Sequence, residues 1–391
     1  MPVALKDFAL WDKLGARGAP LEFALELTAR CNNHCRHCYN DLPAGDQAAR
    51  RAELTTPEVV ALAGEAAAMG AVWCLLTGGE PLLRDDFEEV YLGLKRIGLL
   101  LSVFTNACLV TPAHVELFRR YPPRDVEVTV YGVTRETYER VTRRPGSWLA
   151  FSRGLDLLIE GGVPVRLKAM VLRSNVHELD AMSRFCRERT KDYYRFDPLL
   201  HLRCDGDETR NAEIRAERLS PEEVVAVERA DTERFGSLQK GCRDGVLLLP
   251  ERGEGHADAC DHLFQCGAGG GSFWIGYDGT FGLCSSLRRP GTTVNLRPGA
   301  ARTVSLRDAW RDVVPRVRDM RGADREFLSR CRACRIINLC LWCPAHADLE
   351  TGRMDAWVEY FCNVAHARAA ALAGGEADST GGDAEGGEVA T

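Results

Sequence analysis

Three cysteines in the run Cys31-Asn-Asn-His-Cys35-Arg-His-Cys38 are the residues of this chain best suited to chemistry. A four-iron cube is normally held by one Cys per iron, so a local set of three leaves one iron open to a small chelating molecule. The spacing of three residues and then two differs from the even spacing of bacterial ferredoxins. The same cysteines with His34 or His37 would also satisfy a tetrahedral zinc ion, and on ligand type alone both metals stay open. A second unusual segment is Thr77-Gly78-Gly79-Glu80-Pro81. Its glycines let a backbone approach a ligand with no Cβ in the way, and its carbonyls with the Glu80 carboxylate suit a ligand ammonium. Taken alone, Gly78-Gly79 reads as a plain turn.

The elements that position these segments follow from periodicity. Residues Leu21 to Thr28 alternate strictly, as a strand does, and deliver Cys31 into the loop that follows. Thr56-Pro57-Glu58 opens a helix with Thr56 as its cap, and Gly70 stops it. The strand Ala71 to Leu76 runs into the Gly-Gly-Glu-Pro segment, and Asp85-Asp86-Phe87-Glu88 offers a capping box to the next helix. Further strands are expected at Leu99 to Thr105, Asp125 to Tyr131, Val163 to Leu172 and Tyr194 to Leu199. Helices are expected after Thr111, near Thr134 to Val141, Trp148 to Glu160 and His177 to Arg189. Six βα units within the 182 residues from Leu21 to Leu202 predict an α/β fold, a partial (β/α)6 TIM-like barrel, since a closed eight-unit barrel takes about 250. Both unusual segments fall on loops after strands, where such barrels carry their chemistry.

These residues resemble the radical SAM superfamily. Cys31-x3-Cys35-x2-Cys38 is similar to its cluster motif, and Gly78, Gly79, Glu80 and Pro81 are similar to its motif for the methionyl amine of S-adenosylmethionine (SAM). The resemblance implies that SAM chelates the open iron and that its reductive cleavage releases a 5′-deoxyadenosyl radical, which abstracts hydrogen from a substrate. It further implies SAM contacts from Asn106, Thr129 and Asn175, each of which also reads as an ordinary strand-end residue. His37 stands where many members have an aromatic residue, and Thr142, beside Arg143 and Arg144, stands where many have the Arg that follows strand four.

Of the sixteen cysteines, eight lie from Cys260 onward, enough for two sets of four. Their arrangement resembles the SPASM extension of radical SAM enzymes, with a last internal gap of two residues in place of three. The resemblance implies one auxiliary [4Fe–4S] cluster on Cys260, Cys266, Cys284 and Cys343 and a second on Cys331, Cys334, Cys340 and Cys362. With the SAM cluster that makes three. Zinc at these sites is the alternative on ligand type. Cys74, Cys108, Cys186, Cys204 and Cys242 read as small buried residues. The expected organisation is an N-terminal extension over 1–20, the barrel over 21–225, a bridging helix capped by Ser220 with the small cysteine-rich SPASM domain over 226–370, and a disordered acidic, Gly-rich tail over 371–391.

The chain is 45% hydrophobic with a formal net charge of −6, which gives no electrostatic case for nucleic acid or an anionic membrane. With no signal-peptide h-region and no apolar run of about 18 residues, a cytoplasmic protein with reduced thiols is expected. The SPASM resemblance implies a peptide substrate, modified by oxidation or crosslinking, and a reductase such as flavodoxin or ferredoxin. Only about 20 residues precede the first strand, fewer than the roughly 80 of an N-terminal recognition domain, so a separate leader-recognition protein is expected. Ser285 and Ser286 follow Cys284 where sulfatase-maturating enzymes carry an Asp, which speaks against that activity and leaves the general base unassigned. Modification of a small metabolite or tetrapyrrole is the alternative enzymatic class. An iron–sulfur electron carrier is the non-enzymatic one, and it leaves the Gly78 to Pro81 motif without a role.

Overall fold

A computed structural model describes residues 18–190, 194–241, 261–264, 266–297, 304–332, 334 and 336–377. The chain divides into two compact units, Met1–Arg218 with Phe264–Met320, and Leu219–Leu263 with Arg321–Thr391.

The first unit is built on six parallel strands in chain order: β1 (Glu22–Thr28), β2 (Trp73–Gly78), β3 (Leu100–Thr105), β4 (Asp125–Val130), β5 (Val165–Met170) and β6 (Arg195–Asp197). The downstream segment adds β7 (Ser272–Ile275), β8 (Thr280–Gly282) and β9 (Val294–Asn295). The nine-stranded order is β9-β8-β7-β1-β2-β3-β4-β5-β6. Its two ends are different strands, so the sheet is open, as a partial barrel requires. Strand β7 pairs in parallel with β1, Glu22 opposite Ser272 and Leu25 opposite Ile275. This corrects the sequence reading, which assigned Phe264–Met320 to the cysteine-rich domain: pairing to β1 places that segment in the barrel unit. The β1–β2 register slips between Glu26 and Thr28, where β1 opens into the cysteine loop.

Period-two alternation gives the sheet two faces. Phe23, Leu25 and Leu27 with Val126, Val128 and Val130 form a fully buried apolar face. The opposite positions, among them Glu127, Thr129, Lys168, Met170 and Asp197, line a cavity. The helices start where capping residues stand. Thr55, one residue before the expected cap, forms a reciprocal box with Glu58, because the Pro57 ring belongs inside the first turn. The box expected at Asp85 to Glu88 does not form. Asp86 makes no cap bond and instead accepts from Arg84 at 2.7 and 2.8 Å and from Thr56 at 2.5 Å.

In the second unit, Ser220 caps Pro221–Ala230 through a capping box with Glu223, as expected. Buried Glu228 of that helix accepts from Arg368 at 2.6 and 2.8 Å, and the same guanidinium reaches Leu339 O at 2.8 Å. Arg368 belongs to the helix Glu359–Ala377, which runs past residue 371, where the unstructured tail was expected to begin. The Ala-rich run Ala367 to Ala373 carries strong helix propensity and continues the turn pattern. No helix among the described residues is long and apolar enough to cross a membrane.

Candidate radical SAM site

Strand β1 ends at Thr28, and its loop carries Cys31, Cys35 and Cys38 into a cavity of about 330 Å3. Gly78, Gly79, Asn106, Thr129, Tyr131, Lys168 and His201 line the same space, together with Ser285 and Ser286. The backbone holds the loop in place: His34 N donates to Thr142 O and Arg36 N to Val141 O, each at 3.0 Å. Thr142 is buried and hydrogen bonded to Ser147 at 2.7 Å, Arg143 pairs with Glu213 at 2.9 Å, and Arg144 keeps a buried Nη1 without a partner.

The glycines line the cavity and also let two stretches of backbone meet. A Cβ on Gly78, whose φ is +135°, would lie 2.1 Å from Thr28 O, and one on Gly79 would lie 2.4 Å from Arg30 O. Gly79 N donates to Thr28 O at 2.7 Å and Glu80 N to Arg30 O at 2.9 Å. The pair therefore lets the β2 loop lie against the end of β1, bringing the two motifs together by backbone contact. Glu80 departs from its expected role as a partner for a ligand ammonium. It is fully buried, and its carboxylate accepts from Thr105 at 2.7 Å, Asn106 N at 2.8 Å and Leu82 N at 3.1 Å. Burial pushes its carboxyl up to about 7 against those hydrogen bonds. Pro81 is buried at the start of a 3-10 turn.

Asn106 lines the cavity, and its amide donates to Asn32 at 2.7 Å and toward Cys31 Sγ at 3.8 Å. Thr129 also faces the cavity. Asn175 does not. It is fully buried, its side chain bonded to Leu172 N, Tyr131 O and Met170 O at 2.7–3.0 Å, so its polar capacity goes to the backbone. That arrangement corrects its reading as a ribose contact. Sequence reasoning missed Arg203 and Arg210, both buried and both bonded to the cysteine loop, because no local pattern marks them.

The donor set fits a metal cluster. Burial, with repulsion between neighbouring thiolates, pushes Cys31 and Cys35 well above the ordinary thiol value, and burial raises Cys38 to about 12. Thiols buried this way stay protonated near pH 7 on their own, and a bound metal would have to displace those protons. Asn33 Oδ1 and His37 Nδ1 are buried there without a partner, and burial holds His37 down at about 4, hence neutral near pH 7. All described cysteines are free thiols. Among the described residues, no three His, Cys, Asp or Glu side chains converge on a point suited to a single metal ion.

Of the auxiliary set, Cys331, Cys334, Cys340 and Cys362 share one small pocket of about 40 Å3 with Ile336, Ile337, Trp342, Trp357 and Val358. Burial first, and then the neighbouring thiols, pushes Cys331 up to about 12 and Cys340 to about 11. Cys266 and Cys284 lie in the first unit, and Cys343 caps Pro344–Thr351 in the second. Cys260 and Cys242 lie outside the described residues.

Residues 25–186 match the model of the radical SAM superfamily. The chain carries a radical SAM domain. It is 32% identical over 174 residues to an "AdoMet-dependent heme synthase" of Methanosarcina barkeri, covering 44% of this chain and 48% of that protein. It is 28% identical over 169 residues to a "PqqA peptide cyclase" of Gluconobacter oxydans, covering 43% of this chain and 46% of that protein. The chain thus spans about half the length of these two curated relatives. The crystal structure of Streptococcus suis SuiB bound to precursor peptide SuiA superposes with a TM-score of 0.64 at 15% identity, over 90% of this chain and 78% of that one. That likeness establishes a shared fold.

Proposed function

We propose that this radical SAM protein holds a [4Fe–4S] cluster at Cys31, Cys35 and Cys38, binds SAM beside it and abstracts hydrogen from a peptide, leading to its oxidation or crosslinking. When bound, a [4Fe–4S] cluster would supply the electron that cleaves the sulfonium bond. The chain's own residues hold the loop, orient the nucleoside and exclude water. Asn106 and Thr129 face the space a nucleoside would occupy, and Glu80 fixes the Asn106 backbone from below.

The observation that carries the peptide reading is the set of charged side chains on the wall of the lumen that continues from the cysteine loop. Glu127, Lys168 and Asp197 present hydrogen-bonding groups of both signs on its wall, which suits amides and side chains better than the apolar face of a macrocycle. The peptide-cyclase relative and the peptide-bound SuiB structure support the same class. The heme-synthase relative, at 32% identity, favours a tetrapyrrole as the second reading. Two auxiliary clusters, a flavodoxin or ferredoxin donor, a separate leader-recognition protein and a cytoplasmic setting complete the proposal.

Anaerobically reconstituted protein is to be incubated with SAM, dithionite and either short peptides encoded beside its gene or a coproporphyrin-type tetrapyrrole. Loss of paired hydrogens from a peptide, by mass spectrometry, is expected. Turnover of the tetrapyrrole alone would replace the peptide reading, and no deoxyadenosine with any substrate would end both.

A further inference from the structure

The cysteine loop is gripped from outside the motif by a buried charged hub. Asp41 Oδ1 accepts from Arg203 at 2.8 Å, with Arg210 Nη2 at 3.6 Å, and Asp41 Oδ2 contacts His34 Nδ1 at 2.7 Å. Arg203 also donates to Asp41 O at 3.2 Å and toward Cys38 O at 3.4 Å, and Arg210 donates to Cys35 O at 2.7 Å. Asp205 and Glu213 complete the guanidinium contacts. All three hub residues are at least nine-tenths buried: Asp41 is 5% exposed, Arg203 5% and Arg210 7%. Two guanidinium ions thus bond the carbonyls of two of the three cysteines, while a carboxylate sits between them.

Burying this much charge is costly, and a packed apolar anchor would hold a loop at least as well. A buried charge, however, acts on a redox centre through weak screening. We infer that Asp41, Arg203 and Arg210 set the reduction potential of the cluster held by Cys31, Cys35 and Cys38. The inference rests on the proposed cluster at those cysteines. These are positioning residues that also tune: each guanidinium favours the reduced, more negative cluster, and Asp41 opposes it.

The test is a redox titration of the full-length reconstituted protein, reading the electron-paramagnetic signal that responds to added SAM. For Arg210→Gln, the reduced-to-oxidised ratio at a fixed potential is expected to fall about tenfold, roughly 59 mV more negative. Asp41→Asn is expected to shift the ratio in the opposite direction, and Arg210→Lys to leave it near wild type. A merely structural hub predicts otherwise. Same-direction shifts in the Gln and Asn variants, or unchanged ratios at full iron content, would overturn the inference. If Arg210→Gln does not retain iron, the Lys variant decides: a shift despite its kept charge also overturns it. Wild-type protein without a SAM-responsive signal would instead sink the proposed function.

Discussion

Two cysteine clusters in this molecule hold thiols in opposite ways. The loop after β1 offers three, opening onto a cavity of about 330 Å3 rimmed by Asn106, Thr129 and Lys168. The pocket of the second unit offers four in about 40 Å3, walled by Ile336, Ile337, Trp342, Trp357 and Val358. Three thiols beside a roomy cavity leave space for a reactant, whereas four thiols in a small apolar enclosure leave little. The first arrangement suits bond chemistry and the second suits passing an electron.

The sharpest break between them comes from Cys35→Ala. SAM cleavage should fall to background while about two-thirds of the iron stays bound, if three clusters are present. Deoxyadenosine assays with iron quantitation check this, and cleavage at the normal rate would erase the distinction. Cys334→Ala should do the reverse, keeping most SAM cleavage but losing substrate product. Full product formation would deny the four-cysteine pocket any catalytic part. Gly79→Ala comes next. Its Cβ would overlap Arg30 O and Ala29 O, so a loss of about 1–3 kcal/mol in stability and weaker SAM binding are expected, by thermal melting and equilibrium dialysis. Melting unchanged from wild type would show that the two loops need no such close approach.

The smallest effect concerns how the downstream segment is tied to the barrel. Arg297 donates to Glu58 at 3.2 Å, and those hydrogen bonds hold the Glu58 carboxyl down at about 2. A depressed acid contributes stability above its unfolded value of roughly 4.3, and that contribution is lost as pH falls toward 2. Melting of wild type and Glu58→Gln should therefore differ near pH 6 and converge only as pH falls through about 2. Parallel curves at every pH would remove this ion pair from the account.

Much of this was legible in the sequence. The six βα strands appear within a few residues of where they were expected, and the cysteine spacing is local by nature. What escaped depended on distant partners. Ser272–Ile275 is four residues long and joins the barrel by pairing with β1, some 250 residues upstream. Arg203 and Arg210 lie more than 160 residues from the carbonyls they bind, so no window of sequence joins them. The roles of Glu80 and Asn175 differed from expectation for one reason: residue type specifies what a side chain can bond, while the surrounding backbone decides which partner is nearest.

The pairing of β7 onto β1 also bears on any attempt to dissect this chain. Cutting after Arg218 would strip β1 of a neighbour along Glu22 to Leu25, leaving a ribbon of unanswered amide and carbonyl groups beside the cysteine loop. Such a raw border invites pairing with other copies. A truncated barrel should therefore clump rather than stay dispersed, and a well-behaved fragment must retain the strands from Ser272 to Asn295.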